Sequence, residues 1–509
     1  MTIPVYTMTA VDEIPVIRER LRRAFRTGKA KPIEYRKQQL LALAYMLQDN
    51  DTRFKEAMMA DLHRPATEAD FLEIKPTITE AKFAYDNVSK WATPESPALS
   101  FNWFAMKPTI RKEAKGIVLI ISPFNYPVTL LLGPLAGAIA AGNACVMKPS
   151  ELTPAFSALL AELVPKYLDP EMYVVVNGAV PETTKLLELQ WDHILYTGGA
   201  RVARIVLTAA AQTLSPVTTE LGGKSPAFID PKCDLKVTAK RLMWGKITNA
   251  GQTCVAPDYV LVPKDFVDKF VEACIKTLNE FYPQGAEKSG SFARIISPAH
   301  FARIKAQLDA TKGKIVYGGS TNAEKKFIEP TLVVNVRDDD SLMKEEIFGP
   351  VLPIVAVESL DEALEIVNSR DHPLALYAFS KDAAYKAKVF NNTHSGACIA
   401  NETLIHVGAE GLPFGGIGPS GAGAHTGKYS FDTFTHLRST LDNPGWLELI
   451  LGGRYPPYTD KKLASLALLF PALPPRGGSR KWGPWLLAAA AAAAGTGMLL
   501  SRRPRFLGA

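Results

Sequence analysis

Apolar residues recur three and four positions apart among charges through residues 11–90: Ala24 and Phe25, the run from Leu40 to Leu47, and Phe54 to Met59. This spacing predicts a helical start to the chain. Residues 100–111 mix aromatics with Thr and read as a strand or hairpin. From Gly116 the pattern changes to short β-branched runs at 116–121, 144–147, 173–176 and 193–196. Each but the last is followed within a few residues by turn residues and an Ala/Leu-rich helical stretch. That alternation predicts an α/β fold with a parallel, doubly wound, Rossmann-like sheet, the usual frame for a nucleotide. A second series follows Glu220, at 227–229, 259–262, 352–355, 375–379 and 397–399, and predicts a second α/β domain.

The end of the chain breaks this pattern. Residues 482–500 carry no charge and are dominated by Ala and Leu. At ~1.5 Å rise per residue such a segment reaches about the ~30 Å thickness of the hydrocarbon layer. Arg476, Arg480 and Lys481 precede it, Arg502, Arg503 and Arg505 follow it, and Trp482 and Trp485 suit an interface. A C-terminal transmembrane helix is expected, against the alternative of a buried Ala-rich helix. Just before it, residues 460–470 form a candidate amphipathic helix, with Leu463, Leu466, Leu469 and Phe470 on one side and Lys461 and Lys462 at the polar end.

With 509 residues, 47% hydrophobic and 21% charged, the chain has material for two or three cores. The net charge of +7 gathers partly at the C-terminus and forms no stripe interleaved with aromatics, so no nucleic-acid partner is expected. Five scattered cysteines without a C-x-x-C pair, and few nearby histidines, argue against a disulfide framework and against a metal site. Asp12, Glu13 and early prolines stand where a signal peptide would need basic and apolar residues, so the main part of the chain is expected to face the cytosol.

Two segments carry candidate chemistry. In G-Q-T-C at 251–254, Cys254 beside a glycine turn could be exposed and have its thiolate favoured, although a cysteine is more often a small buried hydrophobe. In T-E-L-G-G-K-S-P at 219–226, Glu220 sits at a strand end against two glycines. A mostly apolar cleft would raise its pKa and suit it to act as a base near neutrality; a surface glutamate before a turn is the other reading.

Further segments make the pattern specific. S-P-F-N-Y-P at 122–127, K-P-S-E at 148–151, Y-T-G-G at 196–199, the two segments above, E-E-I-F-G-P at 345–350 and P-F-G-G-I-G at 413–418 stand in the order found in aldehyde dehydrogenases. The chain resembles that family from about residue 15 to 440. The endings at 401–406, 427–432 and 454–458 resemble its class 3 branch, and a C-terminal hydrophobic anchor resembles the membrane-bound fatty aldehyde dehydrogenases.

The resemblance implies NAD(P)-dependent oxidation of an apolar, medium- or long-chain aldehyde to a carboxylic acid. Cys254 would attack the carbonyl, Asn125 would hold the oxyanion, and Glu220 would activate the water that hydrolyses the thioester. Lys148 and Glu151 would hold the adenosine ribose, with NAD as cofactor and NADP possible. Gly198 and Gly199 would offer N–H groups to the pyrophosphate, and Glu346 and Phe348 would grip the nicotinamide side. A CoA-acylating enzyme would not need Glu220, and a silent membrane scaffold would not need Cys254, Asn125 and Glu346.

The expected plan is a cofactor domain at 1–218 with a bridging hairpin at about 98–112, a catalytic domain at 219–430, and a bridging strand at 431–445. A linker follows at 446–481, with a helix that either gates the substrate funnel or is an ordinary amphipathic surface helix, then the anchor at 482–500. A homodimer bound to a lipid bilayer is implied, on the mitochondrial outer membrane or the endoplasmic reticulum, with the catalytic part in the cytosol. Phe124 stands where many members have Trp, and Ala203 where many class 3 members have Gly. The other cysteines, Cys145, Cys233, Cys274 and Cys398, are expected to be inert core thiols.

Overall fold

Helices come first: Glu13–Arg26, Ile33–Asp49, Asp51–Leu62, and a short Ala66–Ala69 that runs through a π-helical turn, Asp70–Ile74, into Lys75–Trp91. A computed structural model describes residues 3–98, 103–470, 473 and 476. Two units are distinguished: Met1–Glu95 with Ile110–Arg438, and Ser96–Thr109 with Ser439–Ala509.

In the first unit β1 (Thr109–Ala114) leads into β2 (Ile117–Ile121), β3 (Ala144–Lys148), β4 (Tyr173–Val175), β5 (His193–Thr197) and β6 (Val217–Glu220). The sequence of β2, I-V-L-I-I, is buried at every position. Such a run suits a parallel strand covered on both faces. Next come β7 (Pro226–Ile229), β8 (Tyr259–Pro263), β9 (Lys314–Tyr317), the small pair β10 (Thr321–Asn322) and β11 (Phe327–Ile328), β12 (Thr331–Val334), β13 (Val351–Val357), β14 (Ala375–Phe379) and β15 (Ala397–Ala400). Then β16 (Gly421–Ala422) returns to the first sheet and β17 (Thr435–Thr440) pairs with β1.

The first sheet has the order β16-β6-β5-β2-β3-β4 and the second β15-β14-β7-β8-β13-β12-β9. The Rossmann-like frame expected from the β/α alternation is present, and the chain reverses its direction of winding between β2 and β5. The crevice at such a switch point, beyond the carboxyl ends of the strands, is where α/β sheets take nucleotides. Residues 421–430, expected in the catalytic domain, and 431–434, expected in the bridging strand, come back to the first sheet and its core. Phe431 and Phe434 are buried there, and the helix Gly427–Thr433 lies so close to Thr129–Ala141 that a Cβ at Gly137 would overlap Ser430.

One local expectation is refined and two are corrected. In the region near 100–112, the described residues 103–108 hold a 3-10 turn, Phe104–Met106, the strand starts at Thr109, and Ile110 pairs antiparallel with Glu95. The bridging strand begins at Thr435 because 427–433 turn helical. Cys398 is exposed on the edge strand β15, and Cys233 is half-buried, so only Cys145 and Cys274 are core thiols.

The second unit contains the helix Asp460–Ala467, capped by the Thr459 hydroxyl, which accepts from the Lys462 N–H at 3.3 Å. Lys462 ties that helix to the preceding loop, its Nζ donating to the Tyr455 and Pro457 carbonyls at 3.0 Å each. No helix among the described residues is long and apolar enough to cross a membrane. The expected anchor at 482–500 lies outside the described residues.

Candidate active site

Cys254 lies in a turn between the helix Leu235–Ile247 and β8, not at the start of a helix. The turn is built from three consecutive left-handed residues, Asn249 (φ 53°), Ala250 (φ 52°) and Gly251 (φ 75°). For the two residues with a Cβ this conformation costs roughly 1–2 kcal/mol each, so something must hold it. The Asn249 N–H donates to Glu68 at 3.0 Å, and its side-chain amide donates to the Asn125 and Gln252 carbonyls at 3.0 and 3.1 Å. Gln252 spans the turn, its amide donating to the carbonyls of Asn249 and Arg294 at 3.0 Å and accepting the Ile296 N–H at 2.9 Å. Only glycine fits at 251, because a Cβ there would overlap the Gly349 carbonyl of the E-E-I-F-G-P segment.

The S-P-F-N-Y-P turn after β2 is fastened to the same loop. Asn125, almost fully buried, donates from Nδ2 to the Gln252 carbonyl at 3.0 Å, and Tyr126 Oη shares a 2.8 Å hydrogen bond with Thr253 Oγ1. One Asn125 N–H is thus used for positioning, with the second amide N–H left to meet a ligand. Behind it, Arg64 donates to the Asn125 carbonyl and forms a fully buried ion pair with Glu73, its guanidinium 4.6 Å from the centre of the Tyr126 ring. Glu73 accepts the N–H groups of Val128 and Thr129, at 2.8 and 3.2 Å, at the start of the helix Thr129–Ala141.

Glu220, the last residue of β6, is 1% exposed and neither carboxylate oxygen has a partner among the described residues. Burial without a hydrogen bond holds its pKa well above the usual carboxylate range. Cys254 is half-buried, and desolvation pushes its thiol up to about 12, with the Glu346 and Glu220 carboxylates adding to the effect. The thiolate is therefore not favoured in this state, contrary to the expectation from an exposed turn cysteine. Both acids are near enough to Cys254 to be felt by it, which brings the candidate nucleophile and base into one site.

Glu346 is raised to about 8, first by burial and then by Asp258, while the Gly223 N–H opposes the shift. Its carboxylate occupies the space a Cβ at Gly222 would need. Phe348 meets Phe124 edge to face at 5.9 Å. Nearby, Lys246 is 1% exposed with its ammonium 3.5 Å from Asp258, and burial lowers it to about 8.

The C-terminal ends of the first sheet carry the candidate cofactor residues. Lys148 ends β3, with its Nζ buried, donating to the Pro149 carbonyl at 2.7 Å and lying 3.7 Å from the exposed Glu151. The Gly198 N–H is taken by the Glu220 carbonyl at 3.0 Å, so Gly198 does not offer the free donor expected of it. The helix Ala200–Thr213 starts at Gly199 without a side-chain cap, and a Cβ at Gly199 would meet nothing within 4 Å. Open space before an uncapped helix N-terminus fits a phosphate group. Between this helix and Val180–Leu187 lies a cleft of about 260 Å³ lined by Leu187, Ile205 and Ala209. These residues fit a dinucleotide.

A second, larger cavity of about 390 Å³ lies along the helix that follows the Asn125 turn, with Thr129, Leu130, Phe83, Leu404, Ile405 and Val407 in its walls. Its size and apolar walls are those of a small-molecule site.

The first sheet thus brings Asn125 and Glu220 from its carboxyl ends, and the second brings Cys254 and Glu346 from loops before the amino ends of β8 and β13. Sequence reasoning missed Arg64, Glu73, Tyr126, Asn249, Gln252 and Lys246. Tyr126 and Gln252 sat inside recognised motifs and could have been found there. Arg64 and Glu73 look like ordinary helix charges, and only the fold shows them buried.

A model of the aldehyde dehydrogenase family matches residues 3–440. The dimeric NADP-preferring aldehyde dehydrogenase of dog is 42% identical over 447 residues, 88% of this chain and 98% of that protein. Aldehyde dehydrogenase family 3 member A2 of rat is 43% identical over 446 residues, 88% of this chain and 92% of the relative. The substrate-bound structure of an aldehyde dehydrogenase from Staphylococcus aureus superimposes with a TM-score of 0.86 at 40% identity, covering 91% of this chain and all of that one.

Proposed function

The chain belongs to the aldehyde dehydrogenase family, an NAD(P)-dependent oxidoreductase of aldehydes, and we propose that its substrates are medium- and long-chain apolar aldehydes met at a membrane surface. The apolar cavity along the helix that follows the Asn125–Tyr126 turn carries this reading. Two features support it. Residues 482–500 suit a bilayer, and the second unit leaves Trp446, Leu449, Leu463, Leu468 and Phe470 exposed near that segment in sequence. An anchored enzyme of this kind would keep its catalytic part in the cytosol, on the endoplasmic reticulum or the mitochondrial outer membrane. A homodimer follows the dog relative, which is described as dimeric.

In the proposed mechanism Cys254 gives its thiol proton to solvent water, Sγ bonds to the aldehyde carbon, and the carbonyl oxygen becomes an oxyanion. The free N–H of the Asn125 amide and the Cys254 backbone N–H hold that charge; losing one such donor raises a barrier by ~3 kcal/mol. The dinucleotide, when bound, supplies the acceptor for the hydride whose departure leaves a thioester on Cys254. Glu220, once ionised, takes a proton from water, the hydroxide oxygen bonds to the acyl carbon, and the C–S bond breaks to release the acid and a thiolate. A carboxylate with a raised pKa is a stronger base than a solvated one, which suits Glu220 to that step.

Lys148, Glu151 and the first turn after Gly199 would hold the adenosine ribose and pyrophosphate, and Glu346 and Phe348 the nicotinamide side. A carboxylate at the ribose accepts from its hydroxyls and repels a 2′-phosphate. Glu151→Gln should therefore narrow the preference for NAD over NADP, read as the ratio of kcat/KM values. A wild-type enzyme that already binds NADP more tightly would remove this role from Glu151.

The substrate reading is tested by NADH formation across saturated aldehydes from short to long, with the full chain and with a chain ending at Asp460. The full chain should prefer the longer aldehydes. The shortened chain keeps all the site residues and should still oxidise short ones, but lose activity on long aldehydes presented in vesicles. Release of the full chain from membranes by alkaline carbonate would overturn the anchor. A preference for short, polar aldehydes would overturn the substrate class.

A further inference from the structure

The segment ahead of the first helix is fastened over the end of β4. The Thr9 N–H donates to the Asn177 carbonyl at 2.9 Å, and the Asn177 N–H donates to Thr9 Oγ1 at 3.1 Å. Asn177 is buried, its amide donating to the Ser157 carbonyl at 3.3 Å, so the fastening point is part of the core. Three residues earlier, the Gly178 N–H donates to the Tyr6 hydroxyl oxygen, and the charges nearest that phenol are the carboxylates of Glu151 and Glu182. Glu182 is fixed in turn by the Ala179 N–H at 2.7 Å, its stem filling the space where Gly178 would carry a Cβ. Lys148 interacts with both carboxylates. Tyr6, Lys148, Glu151, Gly178 and Glu182, five groups from three stretches of chain, therefore converge at the carboxyl ends of β3 and β4. Among the described residues no protein atom accepts the Tyr6 hydroxyl proton.

We propose that Tyr6 is a further determinant of cofactor choice, closing the ribose site with Glu151 and Glu182 so that it accepts a free 2′-hydroxyl and excludes a 2′-phosphate. The inference rests on reading Lys148 and Glu151 as the ribose site. The Tyr6 proton is a donor that a ribose hydroxyl can use. A 2′-phosphate would need to bring about two negative charges between two carboxylates, beside a segment that the Thr9–Asn177 hydrogen bonds fasten in place.

The experiment measures dissociation constants of NADH and NADPH for the full chain by fluorescence, without substrate. Tyr6→Phe should weaken NADH about fivefold, the loss of one hydrogen bond, and leave NADPH unchanged. Thr9→Val, which removes the hydroxyl of the clamp, should tighten NADPH and so narrow the ratio from the other side. Equal changes for both dinucleotides, or none in either variant, would overturn the proposal. Glu151→Gln separates the two readings. If it narrows the ratio while Tyr6→Phe does not, Tyr6 has no part in selection and the ribose site stands. If neither variant moves the ratio, both readings fall.

Discussion

Glu220→Gln should release about one NADH per active site in a fast burst and then almost stop, whereas Cys254→Ala should release none. The distinction follows from where each side chain acts. Without Cys254 no covalent adduct forms and no hydride can leave. Without the Glu220 carboxylate the thioester still forms, but water must attack it without a base, a loss of about 10²–10⁴ in rate. The pH dependence has a definite sign. Burial without partners raises Glu220, and only its ionised form can take a proton, so steady-state turnover should fall as pH drops through that raised value. The Cys254 thiol, raised to about 12, adds a second dependence of the same sign on the burst. Glu220→Gln should therefore lose the turnover limb and keep the limb of the burst. Stopped-flow and steady-state assays over a pH series read both. Full turnover in either variant would end the assignment.

How much of this was legible in the sequence depended on whether a feature was local. The central strands of both sheets could be read because β-branched runs such as β2 and β13 are buried along their length. The weaker strands β9 and β16 could not. The first lies at an edge with Lys314 and Ile315 exposed, and the second is two residues long. The candidate nucleophile, base and oxyanion residues drew attention because each lies in a short segment that glycine or proline marks as a turn. Their environment was not legible. That Cys254 is raised rather than lowered follows from burial beside Glu346 and Glu220, residues 92 and 34 positions away. The Gly198 N–H was expected to face a ligand, but its proximity to the Glu220 carbonyl arises from the pairing of β5 with β6. Charge on a helix is usually solvated, so Arg64 and Glu73 gave no local sign of their burial.

Arg64→Met should destabilise the first unit by about 3–5 kcal/mol, because it leaves the Glu73 carboxylate buried without its counter-charge. Both side chains are 0% exposed, so no solvent can take over. Glu73 also holds the Val128 and Thr129 N–H groups at the start of the helix that carries the cavity wall. A drop of several degrees in Tm is expected. Adding Glu73→Leu removes the stranded charge, and replacing a buried pair by apolar side chains is often near neutral. The double variant should therefore regain much of the lost stability, less what the two uncapped N–H groups cost. Activity should behave differently. The Asn125 carbonyl is held by Arg64 and by Asn249, and no apolar replacement restores the Arg64 donor. Displacing the oxyanion donor by even ~1 Å can cost about 10²-fold in rate. The double variant should thus fold nearly as well as the wild type and still turn over slowly. Thermal melts and kcat measured on the same preparations check this. A single variant melting within a degree of the wild type would show that the pair carries no such load. A double variant that recovered both stability and rate would show that Arg64 does not position Asn125.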